Sequence, residues 1–471
     1  MSTAPDTDNI KAVVERYFLY VMLSHTWEGH EPSFDEVSGN SVYDLRNEKL
    51  RKFCETVRDD RKHYQWSWSD TCCIDKNNGD VYQKSIRSMY KWYNNSALTL
   101  VLLAHPSKSD PRDSRYLRHN RWMFRAWTLQ ELLAPRVIRF YDYKWDLYRS
   151  PDNNTNNGDS LGIQLQLENT NHKDSPEIQD ELEKATGVKG STLMEFSPEK
   201  FPVRQRLRLA STREATVKVD VAYSLIGIFS SDIPVEYTRE PEDALGLLLQ
   251  EIVNRGGDVT AVLDWVGKPS KFNSSIPADI SVYKKEPYVL PSIADAELDQ
   301  RVEVLRGTLP EQEVIRFYNH LTTLGLPRFA DRRLSLPCIT FSVISITPDT
   351  PSGTTEQSAP AYVASTAALG EFKFKTGDTS LSRLPQGSVV LAYPWIHDLL
   401  ARIHHLEGDE HTQAFRLIVY LEHGFKALLF TRQSHQQYKR VAADEGITVP
   451  KCKLTSLEGV GVKVLEIWER F

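Results

Sequence analysis

The first apolar block of the chain runs without a polar interruption from Tyr17 to Leu23 (YFLYVML). That is the pattern of a strand buried on both faces of a parallel sheet. A helical stripe follows, with Leu50, Phe53, Cys54 and Val57 at i, i+3, i+4 and i+7. Tyr64 to Thr71 predicts a second strand, with Tyr64, Trp66 and Trp68 on one face. Gly79-Asp80 breaks the chain, and Asp80 with Gln83 has capping-box spacing. The helix that starts there carries the stripe Ile86, Met89, Tyr90 and Tyr93. Leu98 to Ala104 (LTLVLLA) predicts a third strand, Trp127 to Leu133 a helix that Pro135 stops, and Val137 to Tyr141 a fourth strand. Strands alternating with helices predict an α/β fold, a mainly parallel sheet with flanking helices and right-handed crossovers. Ligands of such sheets sit beyond the carboxyl ends of the strands. The segments after Leu23, Thr71, Ala104 and Tyr141 are therefore where chemistry is expected.

Downstream the texture changes. Asn153 to Ser160 (NNTNNGDS) is polar and turn-rich, the signature of an insertion or boundary. Pro176 to Thr186 reads as a charged surface helix. From 201 to 254 the pattern is helical, as in Ala222, Leu225, Ile226 and Phe229. From about Pro337, short strand-like runs lie between turn signals: CITFSVISI, GSVVLAYPW, FRLIVYL, KALLFT and VKVLEIW. Leu417 to Leu421 and Lys426 to Thr431, joined through Gly424, predict a hairpin. A helical segment near Glu311 to Leu324 precedes this β-rich region. The expected organisation is an α/β domain over 15–150, an insertion or linker over 151–200, a mainly helical extension over 201–330, and a β-rich C-terminal domain over 335–471. No repeat of solenoid length occurs.

Composition narrows the function. The 471 residues are 40% hydrophobic and 25% charged, enough for two or three domains with sizeable cores. The net charge is −6 and no basic tract stands out, which argues against a nucleic-acid partner. No apolar run reaches the length of a membrane span, and the polar, acidic Met1–Asn9 reads as neither signal nor transit peptide. The cysteines, Cys54, Cys72, Cys73, Cys338 and Cys452, are sparse and odd in number, which fits a reducing, cytoplasmic compartment. Cys72 and Cys73 lack a second pair at metal spacing and read as small core residues, pointing to opposite faces if they lie in a strand. His404, His405 and His411, among Glu407, Asp409 and Glu410, fit no standard metal spacing and read as an exposed loop.

Four blocks then occur in order. The first is Leu23-Ser24-His25-Thr26-Trp27. The second is Trp68-Ser69-Asp70-Thr71-Cys72-Cys73-Ile74-Asp75-Lys76, followed by Ser85 to Tyr93 (SIRSMYKWY). The third is Arg125-Ala126-Trp127-Thr128-Leu129-Gln130-Glu131-Leu132-Leu133-Ala134-Pro135. The fourth is Asp220 to Phe229 (DVAYSLIGIF), then Ile233-Pro234 and Tyr237. With these blocks the chain resembles the fungal heterokaryon-incompatibility (HET) domain family over residues 15 to 255. It departs from the family where Glu28 intervenes before Gly29, and where Tyr237-Thr238-Arg239 replaces a frequent Tyr-Gly-Glu. The domain resembles, more distantly, the Toll/interleukin-receptor (TIR) fold, whose Trp-x-x-x-Glu-Leu pattern matches Trp127 to Leu132.

The resemblance implies that Glu131 carries cleavage of NAD, a substrate and not a cofactor. A fixed carboxylate stabilises the oxocarbenium-like ribose that develops as nicotinamide leaves. Ser24, His25 and Trp27 would then form a pocket rim, with Trp27 stacking on a base or on nicotinamide. Asp70 and Asp75 would hold ribose hydroxyls or, less simply, a metal, Arg125 a phosphate, and Trp127 would be a further substrate-binding residue. Each position also has a plainer reading. Thr128 and Glu131 have capping-box spacing, Trp27 can lid the core, Asp70 and Asp75 suit turns, and Arg125 and Trp127 suit packing. No metal site is expected. The function expected is self/non-self recognition or cell death, with NAD hydrolysis switched on by self-assembly of the HET domain. The alternative is an interaction module without enzymatic activity, and a further option leaves binding to the C-terminal domain.

Overall fold

The computed structural model describes residues 17–60, 64–106, 117–148, 171–256, 258–289, 292–349, 360–394 and 408–468, with residues 13, 403 and 405. Packing divides the chain into two compact units. One is built from the chain up to Pro202 with Thr212–Thr238, the other from Val203–Ser211 with the chain from Arg239 onward.

The first unit is a four-stranded, all-parallel sheet of order β2-β1-β3-β4. Its strands are β1 (Tyr20–His25), β2 (Trp66–Trp68), β3 (Leu98–Leu102) and β4 (Ile138–Tyr141). These are the four segments the apolar pattern marks, so the α/β expectation holds. Central β3 is buried at every position, whereas edge strand β2 shrinks to three largely exposed residues. Tyr64 and Trp66 do not share an environment, because Tyr64 is buried outside the strand and Trp66 is half exposed. The helices of this unit include α1 (Phe34–Ser38), α2 (Glu48–Asp59), α3 (Gly79–Asn95), α4 (Thr128–Leu133) and α5 (Pro176–Thr186). Leu50, Phe53 and Val57 of α2 pack on Val21, Leu23, Leu98, Leu100 and Leu102, one face of the sheet. Helix α3 is capped by Asn78, whose side chain accepts from the Val81 amide. The helix starts at Gly79 with Asn78 as its cap, so Asp80 and Gln83 fall two residues too late to form the box their spacing suggests. The Asn153–Ser160 segment lies outside the described residues.

In the second unit nine strands share one sheet. They are β5 (Arg328–Ala330), β6 (Arg333–Pro348), β7 (Ala361–Thr366), β8 (Gly370–Lys375), β9 (Val389–Pro394), β10 (Phe425–Arg432), β11 (Gln437–Arg440), β12 (Ile447–Val449) and β13 (Val460–Ile467). Pairing runs β10-β11-β13-β6-β9 and returns to β10, so these strands close a ring. Closure removes the open edges that invite pairing with other chains. All these pairs are antiparallel except β11 with β13. Helices α6 (Pro241–Asn254), α7 (Asp295–Arg306), α8 (Glu311–Thr322) and α9 (Glu410–Glu422) belong to this unit. Leu298, Val302, Val314, Tyr318 and Phe415 of α7, α8 and α9 share a core with Ile339, Phe341 and Leu391 of the strands.

The expected hairpin over 417–431 is not formed, because its first arm is the end of α9 and only its second arm is a strand, β10. Ala414, Phe415, Leu417, Ile418 and Leu421 fall at helical spacing, and Asp409 caps the helix by accepting from the Thr412 amide. No described helix is long and apolar enough to cross a membrane.

Candidate functional site

Side chains alternate along a strand, and at the carboxyl end of β1 this sends Ser24 and His25 to opposite faces. Two polar centres result. On one face Ser24, fully buried, donates from Oγ to Glu131 Oε2 at 2.5 Å and accepts from Trp122 Nε1 at 2.8 Å. Glu131 sits on α4, a single buried turn set between Ala126 and Pro135, and is only 4% exposed. The capping role does not occur. Thr128 is already helical, and its Oγ1 donates to the Trp122 and Arg125 carbonyls instead, while Glu131 reaches to β1. Burial first, then the nearby Asp70 charge, pushes the Glu131 carboxyl up to about 8, against the opposing pull of Ser24, Arg125 and Arg213. Arg213, itself buried, donates to Thr128 Oγ1 at 2.8 Å and to the Arg125 carbonyl at 3.0 Å, which ties down the start of α4.

On the other face, that of α2, Lys49 Nζ lies 3.1 Å from His25 Nδ1 and donates to the Thr26 carbonyl and Glu31. With Nδ1 as acceptor, the His25 Nε2–H donates to Asp70 Oδ1 at 3.2 Å. Trp27 Nε1 donates to the other Asp70 oxygen at 3.0 Å, and Lys76 Nζ stands 4.1 Å from the Trp27 ring centre. Burial pushes the Asp70 carboxyl up, but the bond from His25, the charge of Lys76 and the bond from Trp27 outweigh it and hold it below its ordinary value. Asp70 therefore clasps the segment after β1 to the segment after β2. Beside this clasp opens a cleft of about 420 Å³, lined by Trp27, Phe34, Thr71, Ile74, Lys76 and Asn77 among others. Trp27 and Phe34 are 46% and 38% exposed.

The predicted residues thus come together in part. Ser24 joins Glu131, and His25 and Trp27 join Asp70. Asp75 stands apart as a turn former, its Oδ1 accepting from the Asn77 and Asn78 amides. Trp127 bonds Asp220, which also accepts from Tyr237. Arg125 contributes its charge near both Glu131 and Asp220. Trp122, Lys49 and Arg213 carry contacts that the sequence reading did not assign to the site. The described residues hold no cluster of three metal-ligating side chains; His404 and Glu407 lie outside them, and His411 pairs with Glu311 at 2.7 Å.

Residues 20–120 match the family model described as "Heterokaryon incompatibility protein (HET)". Over this stretch the chain is similar to the HET family. Both polar centres draw on it: Ser24, His25, Trp27, Asp70 and Lys76 lie inside the matched residues and Glu131 just beyond them. Over 247 residues, 50% of its length, the chain is 34% identical to "Vegetative incompatibility protein HET-E-1" of Podospora anserina, and the match spans 16% of that relative. No solved structure matches the chain.

Proposed function

We propose that this protein acts in heterokaryon incompatibility through its HET domain, and that the domain hydrolyses NAD at Glu131 once assembly opens the site. The observation that carries the reading is the Ser24–Glu131 pair at the carboxyl end of β1, where parallel α/β sheets place their chemistry. The TIR resemblance of Trp127 to Leu132 supplies the reaction. In the closed arrangement Glu131 is buried and holds a proton near neutrality. A neutral acid gives little stabilisation to a cationic ribose. Opening hydrates the carboxyl, returns it to its ordinary range and creates the charge the reaction needs. Water then attacks the ribose carbon as the nicotinamide nitrogen takes the bonding electrons, and the proton lost by that water passes to solvent. Five unpaired cysteines are at home in the cytoplasm, where the reading places the protein.

The test is Glu131→Gln, which keeps the size and the bond with Ser24. NAD consumption by the assembled wild type should fall by about a hundred- to a thousand-fold in the variant, with the melting temperature at neutral pH maintained. An assembled wild type that leaves NAD intact would remove the enzymatic reading. The second reading, an interaction module, is favoured by the same burial and by a cleft that Glu131 does not line. It expects partner binding to survive Glu131→Gln and to weaken when Trp27 or Phe34 is replaced by alanine.

A further inference from the structure

Cys72 and Cys73 lie in the turn between β2 and α3, not in a strand, and their sulfurs do not point to opposite faces. The two Sγ atoms are 4.0 Å apart. Cys72 is buried in the core of the α2 face, whereas Cys73 belongs to an exposed residue, so the expectation of two core cysteines holds for one of them. The Ser69 amide donates to Cys73 Sγ at 3.4 Å, and the Cys73 amide closes the turn on the Ser69 carbonyl at 2.9 Å. The turn so formed carries Asp70.

We propose that this pair is an oxidative modification site: a hydroperoxide converts it to a Cys72–Cys73 disulfide, and closing that bond loosens the Asp70 clasp. The Cys73 thiolate attacks one peroxide oxygen, the O–O bond breaks, and the second oxygen leaves as hydroxide or alkoxide. Cys73 is now a sulfenic acid. Cys72 sulfur attacks the Cys73 sulfur, the S–O bond breaks, and the Cys72 proton leaves with the departing hydroxide as water. Two cysteine sulfurs are oxidised and one peroxide is reduced.

The roles follow from the surroundings. The bond from Cys72 and the Ser69 amide bring the Cys73 thiol down to about 7, whereas Cys72 is pushed up by its bond to Cys73 and by burial. Cys73 is therefore the attacking sulfur and Cys72 the resolving one. The strain follows from covalent geometry. Neighbouring Cα atoms across a trans peptide are about 3.8 Å apart, below the roughly 4.4–6.8 Å that disulfides span. Closing the ring twists the Cys72–Cys73 backbone and takes the sulfur away from the Ser69 amide. Strained disulfides are readily reduced, which suits a reversible mark. Two residues upstream, Asp70 holds both His25 and Trp27, so the twist is delivered to the wall of the cleft.

The test uses the full chain, hydrogen peroxide and alkylation of the remaining thiols, read by peptide mass spectrometry. The Cys72–Cys73 peptide should lose two hydrogens and its alkylation, and a thiol reductant should restore both. Cys73→Ser should lose this response. Cys72→Ser should leave Cys73 as a sulfenic acid trapped by dimedone, and Cys54→Ser should change nothing. Tryptophan emission should shift on oxidation in the wild type and lose that shift in Trp27→Phe. A Cys54–Cys73 bond, full alkylation of both thiols after peroxide, or a disulfide that leaves Trp27 emission unmoved would overturn the proposal. None of these readouts requires NAD to be cleaved.

Discussion

At the scale of single residues, Glu131 makes a measurable claim about pH. Its folded carboxyl sits near 8 where the unfolded group titrates near 4.5. Between those values the folded protein binds the extra proton, so stability falls as pH rises. The contribution is fully present below the unfolded value and is lost as pH rises through the folded one. Its size is on the order of a few kcal/mol for a shift of this kind. Urea denaturation at pH 5, 6.5 and 8 should show the wild type weakening relative to Glu131→Gln, by similar amounts over each of the two steps. Parallel pH profiles for the two proteins would mean that the carboxyl is ionised when folded. Position 131 is legible in the sequence through a resemblance, but its partner is not. Alternation along β1 already separates Ser24 from His25, and reading both as one rim overlooked that period. Arg213 leaves no local signal, because it reaches Thr128 from 85 residues away.

At the scale of elements, the parallel sheet is legible because three of its strands are apolar runs with helical stripes between them. Edge strand β2 is less so, since Trp66 is half exposed and the alternation carries little burial. The sequence FRLIVYL shows the opposite failure: seven residues, nearly all apolar, satisfy a buried strand and a buried helix alike, and only the Asp409 cap and the Ala414–Phe415 extension decide. Close approach between elements is the property least visible in the sequence. Gly227 follows the short helical turn at Asp220–Tyr223 and lies against α3, where an added Cβ would come within 2.1 Å of Tyr90 Cβ. Both atoms belong to the stiff beginning of a side chain, so the backbones must part. Gly227→Ala should therefore destabilise the first unit by about 1–3 kcal/mol through overpacking. Gly79→Ala is the comparison, because a Cβ there meets nothing within 4 Å and alanine favours the first turn of α3. Equal urea midpoints for the two variants would show that the 220–229 segment moves freely over α3.

At the scale of the whole molecule, the sequence shows two textures, and the packing resolves them into two units with a boundary that no local signal announces. Val203–Ser211 belongs to the second unit and Thr212–Thr238 to the first, although the whole stretch reads as one helical region. Helical period says that a segment buries a face, not which core receives it. Helices α7 and α8 make the point: Leu298, Val302, Val314 and Tyr318 are buried with the strands that follow them. Two cores fed by different stretches of chain should not melt as one two-state unit. Phe53 anchors the α2 face of the parallel sheet, and Phe415 anchors α9 against the strand ring; they are 1% and 0% exposed. Truncating either to alanine should cost about 3–5 kcal/mol in its own core. Differential scanning calorimetry of the full chain should resolve two transitions. Phe53→Ala should lower one and leave the other in place, and Phe415→Ala should do the reverse. A single transition that both substitutions lower together would show that the two cores unfold as one, and that folding couples them more tightly than their separate packing indicates.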